Sequence, residues 1–154
     1  MRNLAPTEEA TVIRKERWIV VGTDFSAGAD SALEQALAMA ADSNACVALV
    51  HAYEDPPGTP APSDHTDREL LSQLDETVGR SGAKERGVRV ETLIRRGAPW
   101  DKLVNAASEL GATLIVIGAH GQRGPMRNAP IGSVAMRVVA TSIQSVLVVR
   151  QQLR

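Results

Sequence analysis

The sequence is poor in aromatic residues and has only one cysteine. Aromatic side chains make up 3% of the 154 residues, so a hydrophobic core has to be built from Val, Ile, Leu and Ala, which favours buried strands packed by small-residue helices. With Cys46 alone, an intrachain disulfide is excluded. Because Cys46 lies in an apolar run, we expect it to be a buried structural thiol rather than a reactive one.

An excess of charge of one sign is lacking as well. The net charge of −1 argues against a protein that binds nucleic acid by neutralising its phosphates. No apolar run approaches the ~20 residues that a membrane span needs, and the charged residues 1–17 lack the apolar core of a signal peptide. We therefore expect a cytoplasmic protein that has neither a nucleic-acid nor a membrane partner.

What the sequence does contain is an alternation of strand and helix patterns. Short apolar or β-branched runs predict strands at residues 18–21, 46–50, 88–94, 113–117 and 145–149. Apolar residues at helical spacing predict helices at residues 29–40, 68–85, 99–110 and 134–140. Several of the strands are apolar on both faces, which is typical of a parallel sheet covered by helices on two sides. The sequence therefore predicts a single α/β domain.

Two loops at the carboxyl ends of predicted strands carry the functional signals. The first reads TDFS and follows the first strand, and the second, residues 118–133, reads GAHGQRGPMRNAPIGS and follows the fourth. Glycines let the backbone approach an anion closely, and the free N–H groups of a helix N-terminus attract it. Ligands of parallel sheets bind at this edge. The two loops together therefore predict one nucleotide site.

Each residue of these loops also has a structural interpretation. Gly118 and Gly121 are explained by a strand that ends in an unusual backbone conformation, and Gly132 and Ser133 by a helix cap. The same holds for Asp24 as a helix cap, for His120 as a residue that faces solvent, and for Arg123 and Arg127 as solvated charges. Both interpretations stay open at this point.

Catalytic motifs are missing from the chain. It contains no phosphate-binding loop with a Gly-x4-Gly-Lys-Ser/Thr pattern, no Gly-x-Ser-x-Gly turn and no histidine pair at zinc-ligand spacing. No acidic residue in the longer loop is placed to activate a water molecule. We therefore expect no enzyme, or at most a weak ATPase.

Four stretches of the chain resemble the universal stress protein family. They read IVVGTDFSAGADSALEQALAMA, VALVHAY, GAPWDKLVNAASELGATLIVIGAHG and GSVAMRVVATSIQSVLVVR. The resemblance implies one universal stress protein domain over residues 17–154, preceded by an N-terminal extension at residues 1–16. It also implies the Rossmann-like fold of the adenine nucleotide alpha hydrolases, a five-stranded parallel sheet in the order 3-2-1-4-5 with helices on both faces.

The resemblance further implies a homodimer in which the last strand, Ser145–Val149, pairs across subunits. This strand is apolar and would lie at the edge of the sheet. An uncovered apolar edge favours pairing with another chain, which gives the dimer an independent physical reason.

Many members of the family bind ATP through the pattern Gly-x2-Gly-x9-Gly-Ser/Thr. This chain has ten residues between Gly121 and Gly132, one more than the pattern, and Pro125 and Pro130 inside this loop lack an N–H for a phosphate. A longer loop either bulges outward and leaves both glycines in place or displaces one of them. We expect an adenine-nucleotide-binding stress-response regulator that takes ATP, with or without Mg²⁺; a dimeric interaction protein of the same fold without a nucleotide is the alternative.

The implied nucleotide site draws on three parts of the sequence. Its base and ribose contacts are Gly22, Thr23, Asp24, Ala52 and Ile117. Its ribose and phosphate contacts are Gly118, His120, Gly121, Arg123, Gly132, Ser133 and Val134. At Gly22 the chain departs from the family, in which proline is frequent at that place.

A second resemblance predicts a different activity. The residues SAGADS after the first strand resemble the Ser-Gly-Gly-x-Asp-Ser loop of the ATP pyrophosphatases, which activate substrates by adenylation. Ala27 replaces the first glycine of that loop. An adenylating enzyme is therefore a minor alternative, and otherwise this segment is only the start of a helix.

Overall fold

Five strands and four helices alternate along the part of the chain that the computed structural model describes, residues 15–60, 64–122, 124 and 130–151. In chain order they are β1 Trp18–Gly22, α1 Ala27–Ser43, β2 Cys46–Tyr53, α2 Asp64–Arg80, β3 Val90–Arg96, α3 Pro99–Leu110, β4 Leu114–Gly118, α4 Ser133–Thr141 and β5 Ser145–Val149. All strand pairs are parallel, and the sheet order is β3-β2-β1-β4-β5. The predicted fold class and strand order are confirmed.

Two hydrophobic cores lie on opposite faces of this sheet. The first consists of the apolar faces of α1 and α2 against one set of strand side chains, including Leu37, Leu49 and Leu74. The second consists of α3 and α4 against the alternate set, including Val20 and Ile115. Successive side chains of a strand point to opposite faces, so a sheet buried on both sides needs apolar residues at every strand position, and this accounts for the continuous apolar runs in the sequence.

Helix ends follow the local sequence signals at α3. Pro99 occupies the first turn of α3, and Gly111 ends the helix in the left-handed conformation with φ 61°. A proline in the first turn costs no hydrogen bond, and a glycine adopts positive φ without a Cβ clash. Both predictions for this helix are confirmed.

Several predicted element bounds differ from the structure. The predicted helix at residues 68–85 ends at Arg80, because a turn with φ 81° at Gly82 follows it. The third strand begins at Val90 rather than at Val88, whose N–H closes that turn by donating to the Ala83 carbonyl oxygen at 3.0 Å. The second strand continues to Tyr53, because it pairs with β3 from Val47 to Tyr53.

Cys46 is only partly buried, whereas the sequence predicts a buried thiol. It is the first residue of β2, at the amino end of the sheet, where its N–H donates to the Arg17 carbonyl oxygen at 2.8 Å. None of the helices in the described ranges is long and apolar enough to cross a membrane.

Candidate functional site

A cavity opens at the carboxyl edge of the sheet, on the side covered by α3 and α4. The strand positions that face this side near the edge are Gly22 on β1 and Ala52 on β2, which follow Val20 and Val50 at a spacing of two residues. Glycine and alanine are too small to fill the space between the sheet and α3. Two small residues at the ends of two adjacent strands thus form part of the cavity lining.

The cavity has a volume of about 300 Å³, which is within the range of sites for small molecules. Every predicted site residue that the structure describes lines it: Gly22, Thr23, Asp24, Ala52, Ile117, Gly118, His120, Gly121, Gly132, Ser133 and Val134. Arg123 lies outside the described residues, as do Arg127 and Pro125. The fold thus brings both loops of the sequence prediction to one place.

The two ends of the cavity differ in polarity. One end, near β2 and α3, is lined by the apolar side chains of Val50, Ala52, Pro99 and Leu103, and Ile117 on β4 adds a further apolar side chain beside them. The other end, between β4 and α4, is lined by the glycine-rich loop and the first residues of α4. Since β1 lies between β2 and β4 in the sheet, the cavity runs across the end of β1 from an apolar to a polar end.

The loop after β1 is held by its own side chains. Thr23 is buried; its N–H donates to the Val50 carbonyl oxygen at 2.9 Å, and its Oγ1 accepts from the Phe25 N–H at 3.0 Å. Asp24 Oδ1 accepts from the Ser26 N–H at 3.0 Å. These bonds hold a tight turn in which Phe25 has the unusual φ of 64°.

The start of α1 has a side-chain cap. Ser26 Oγ accepts from the Ala29 N–H at 3.2 Å, and Ser26 is the N-cap residue. The interpretation of Asp24 as the cap of this helix is therefore wrong. The segment SAGADS is a capped helix start, which is the structural interpretation of that motif.

Asp24 connects the two loops instead. Its Oδ2 accepts from the Gln122 N–H at 3.0 Å, and its carbonyl oxygen accepts from Gln122 Nε2 at 2.6 Å. A Cβ on residue 121 would collide with Asp24 Oδ2, so Gly121 is needed for this contact. Both carboxylate oxygens of Asp24 thus accept backbone N–H groups, one from each loop.

Gly118 is also needed for close packing of the backbone. A Cβ on residue 118 would lie 2.9 Å from the carbonyl oxygen of Gly28 in α1, which is closer than real Cβ contacts allow. The end of β4 and the start of α1 therefore meet through two glycines, Gly118 and Gly28. This contact is a reason for Gly118 that is independent of any ligand.

The start of α4 has no such cap. Gly132 is the N-cap residue, with φ −72° and ψ 166°, and no side chain accepts from the first turn of the helix. Its own N–H donates to the Ala119 carbonyl oxygen at 2.5 Å. The first N–H groups of a helix have no acceptor within the helix, so Ser133, Val134 and Ala135 present theirs at the cavity that they line. This end also carries the positive end of the helix dipole.

The histidines differ in their surroundings. His51 Nδ1 lies 2.8 Å from the Thr23 carbonyl oxygen and its ring packs on Phe25 with centroids 4.6 Å apart. Because a carbonyl oxygen only accepts, Nδ1 carries a proton here, and His51 supports the β1 loop from the face opposite to α3. His120 lines the cavity itself.

Tyr53, Asp67 and Arg96 form a polar cluster at the carboxyl end of β2, beyond the cavity. The Tyr53 hydroxyl donates to Asp67 Oδ1 at 2.7 Å and accepts from Arg96 Nε at 2.8 Å. The bond to Asp67 raises the pKa of Tyr53 above its ordinary value, and the bond to Tyr53 raises the pKa of Arg96. The cluster links β2, β3 and α2, and Arg96 is hydrogen-bonded within it.

Two of the cavity residues that the sequence analysis does not assign to the site come from α3. Pro99 and Leu103 line its apolar end, although the sequence assigns Pro99 to a helix start and Leu103 to a core stripe. Gly22 was the signal in the sequence that could have pointed to Leu103, because a glycine at the end of a buried strand leaves space for a neighbouring side chain. Within the described ranges no three His, Cys, Asp or Glu side chains are grouped so as to hold a metal ion.

Comparisons with known proteins are consistent over most of the chain. A family model described as the universal stress protein family matches residues 17–150. The universal stress protein MJ0531 of Methanocaldococcus jannaschii is 31% identical over 140 residues, covering 86% of this chain and 81% of its own length. The universal stress protein YxiE of Bacillus subtilis is 28% identical over 142 residues, covering 84% and 93%.

Solved structures give the same result. The crystal structure of a universal stress protein in complex with cAMP has a TM-score of 0.72 and 30% identity, covering 90% of this chain and 99% of that one. The structure of the universal stress protein from Archaeoglobus fulgidus in complex with dAMP has a TM-score of 0.65 and 26% identity, covering 86% and 96%. The chain therefore belongs to the universal stress protein family.

Proposed function

We propose that this chain binds an adenine nucleotide, with ATP as the expected ligand, in the cavity at the carboxyl edge of its sheet. The observation that carries the proposal is the pairing of an apolar end with the uncapped start of α4 in one cavity. An adenine base is flat and largely apolar on its faces, whereas phosphates are anions that bind at helix N-termini. The complexes of two relatives with cAMP and dAMP support this ligand class.

In the proposed complex the nucleotide lies across the end of β1. The base takes the apolar end beside Ala52 and Ile117, and the phosphates take the N–H groups at the start of α4. Asp24 then lies between them, beside the ribose. Arg123 and Arg127, which lie outside the described residues, would add positive charge near the phosphates.

A Mg²⁺ ion would reach this site on the phosphates of ATP rather than through protein ligands. Asp24 is the only carboxylate among the described lining residues, and both of its oxygens already accept N–H groups. Mg²⁺ commonly keeps several waters and binds through substrate phosphates. The proposal therefore includes no resident metal.

We further propose slow or absent hydrolysis of the nucleotide. Among the described lining residues, only Asp24 and His120 have side chains that take part in proton transfer, and Asp24 is committed to holding the two loops together. Bound nucleotide would then act in the cytoplasm by stabilising one conformation of the glycine-rich loop and so change the affinity for partner proteins.

Isothermal titration of the purified chain with ATP and Mg²⁺, and with AMP, tests the proposal. We expect heat of binding in the original chain and its loss in Gly121→Val, because that side chain displaces Asp24 from Gln122. Gly79→Val is the matched control, since no atom lies within 4 Å of a Cβ at this exposed position of α2, and it should bind as the original does. Absence of heat at millimolar ATP would overturn the proposal.

A dimer through β5 is the second part of the proposed function. β5 pairs with β4 on one side and is the last strand in the sheet order. The Val149 carbonyl oxygen accepts from Ala119 at 2.8 Å, so the backbone groups of Val149 point to β4 and, by alternation, those of Val148 point to the free edge. The side chain of Val148 meanwhile packs in the α3/α4 core.

Val148→Pro tests this dimer. The substitution removes an N–H that faces outward and leaves the bonds between β4 and β5 in place, because proline is tolerated on an edge strand. Analytical ultracentrifugation should show a dimer for the original chain and a monomer for the variant, with helix content by circular dichroism unchanged. A monomeric original chain would contradict the proposed pairing.

One observation favours the alternative of a dimeric interaction protein that binds no nucleotide. Gly118 and Gly121, two of the glycines of the binding pattern, are each needed for contacts inside the protein, with Gly28 and Asp24. Their presence is thus explained without a ligand. The titration above decides between the two functions, because only the first predicts heat.

A further inference from the structure

Leu103 forms the wall of the apolar end of the cavity. It lies on α3, is 3% exposed and lines the cavity. A Cβ built on Gly22 would lie 2.8 Å from Leu103 Cδ1 and 3.0 Å from Cδ2. The two methyl groups of Leu103 therefore occupy the space that a side chain at the end of β1 would take.

At the ends of β1 and β2 the strands offer little side chain, since Gly22 has none and Ala52 has one methyl group. Val50 and Ile117 are the longer strand side chains that line the apolar end. Pro99 lies four residues before Leu103 on α3 and lines the same end, since residues four apart share a helix face. On the α3 side, the apolar end is thus bounded by Pro99 and by the longer side chain of Leu103.

The orientation of the nucleotide directs the base toward this wall. With the phosphates at the start of α4, on the β4 side of the sheet, the base extends toward β2 and α3. In adenine the exocyclic N6 lies on the edge remote from the ribose, so the N6 group reaches deepest. We infer that Leu103 is the residue that determines specificity for base size, admitting an unsubstituted purine and excluding one enlarged at N6; this inference rests on the proposed function.

Titration with AMP and N6-benzyl-AMP tests the inference. The original chain should bind AMP and discriminate against N6-benzyl-AMP. In Leu103→Ala the dissociation constant for N6-benzyl-AMP divided by that for AMP should fall by about 10- to 200-fold. This is the range by which apolar pockets discriminate on size. Leu103→Val, which removes less volume, should change the ratio in the same direction by a smaller factor and keeps the test usable if the alanine variant does not fold.

Leu37→Ala is the matched control. Leu37 is a fully buried leucine of α1 in the other core, so its loss lowers the melting temperature without enlarging the cavity. The ratio of the dissociation constants for N6-benzyl-AMP and AMP should stay at its original value in this variant. An equal fall in the ratio would show that loosening of the fold, and not Leu103, admits the larger base.

Gly22→Ala tests the same wall from the opposite side. The added methyl collides with Leu103, so it should push that side chain into the cavity and weaken AMP binding. The double variant Gly22→Ala/Leu103→Val should recover much of that loss, a coupling expected only of residues in contact. Additive effects of the two changes would overturn the inference.

The outcomes separate the inference from the proposed function. If the original chain binds neither these two nucleotides nor ATP, the proposed function fails and the inference with it; if it binds ATP alone, only the inference fails. If AMP binds and Leu103→Ala still excludes N6-benzyl-AMP to the original degree, the inference fails alone. If the original chain binds both nucleotides equally, Leu103 sets no limit on base size and the inference also fails.

Discussion

The starts of α1 and α4 border the same cavity and are built in opposite ways. At α1, Ser26 accepts from the Ala29 N–H, and Asp24 and Thr23 accept from the two N–H groups before the helix. At α4 the cap residue is Gly132, which offers no side-chain acceptor. The first helix start therefore satisfies the Ala29 N–H with a side chain of its own, whereas the second has no side-chain acceptor for its first N–H groups.

This difference separates two motifs that look alike in the sequence. SAGADS and the Gly-Ser at residues 132–133 both place small residues and hydroxyls at a helix start after a strand. Only a helix start with free N–H groups attracts a phosphate. The comparison therefore favours α4 as the phosphate-binding helix start of the proposed complex and gives a structural role to the motif that resembles an adenylation loop.

The largest expected effect comes from giving α4 a cap like that of α1. Gly132→Asp places a carboxylate at the N-cap, and the backbone at φ −72° and ψ 166° accepts any residue. The carboxylate competes with the phosphate for the N–H groups at the start of α4. A hydrogen bond to a charged group contributes about 1.5–3 kcal/mol. We expect the dissociation constant for AMP in isothermal titration to rise by about 10- to 150-fold, with no loss of thermal stability.

Gly132→Ala is the control for this change. It adds the same Cβ, 3.3 Å from the Ala119 carbonyl oxygen, without the carboxylate. If the alanine variant loses as much affinity as the aspartate variant, steric displacement rather than competition for the N–H groups is the cause, and the contrast between α1 and α4 does not hold.

At α1 we expect a smaller effect, which lowers stability and leaves the affinity for AMP unchanged. Ser26→Ala removes the cap and should lower the free energy of unfolding by about 1 kcal/mol, measured by urea denaturation. The dissociation constant for AMP should stay the same, because the Ser26 hydroxyl is engaged with Ala29. Ser31→Ala, in the same helix, removes only a bond to the Ala27 carbonyl oxygen and should leave stability nearly unchanged. A large loss of affinity in Ser26→Ala would show that α1 also holds the ligand.

The sequence was sufficient to predict which loops meet. Strand order follows from the alternation of strands and helices together with the family resemblance, and it places the ends of β1 and β4 side by side. The glycines and the Thr-Asp turn then have to lie at one edge. Bounds within turns were less predictable, because Ala83 and Val88 are apolar residues that continue the helix and strand patterns while they close a buried turn.

The partners of individual side chains were not predictable. Asp24 has the sequence context of a helix cap and of a ribose contact, yet its carboxylate joins Ser26 to Gln122. Leu103 belongs to an apolar stripe at helical spacing, and the stripe does not reveal which of its members lies above a glycine. Such roles depend on contacts between residues far apart in the chain, which local patterns do not encode.

The smallest expected effect lies where the two regions join. Gln122→Ala removes the bond from Nε2 to the Asp24 carbonyl oxygen but keeps the backbone bond to Oδ2, so the capped loop should hold the glycine-rich loop less firmly. One exposed hydrogen bond contributes about 0.5 kcal/mol, which predicts an AMP dissociation constant about 2-fold higher.

Gln122→Glu should have a larger effect than Gln122→Ala, because its carboxylate cannot donate to Asp24 and repels it. Parallel titrations of the two variants with AMP measure this order. If the alanine variant weakens binding and the glutamate variant does not, the link to Asp24 is not what positions the loop. The expected order would show that the loop after β1 supports nucleotide binding indirectly. Through Asp24 it fixes the position of Gly121 relative to the first N–H groups of α4.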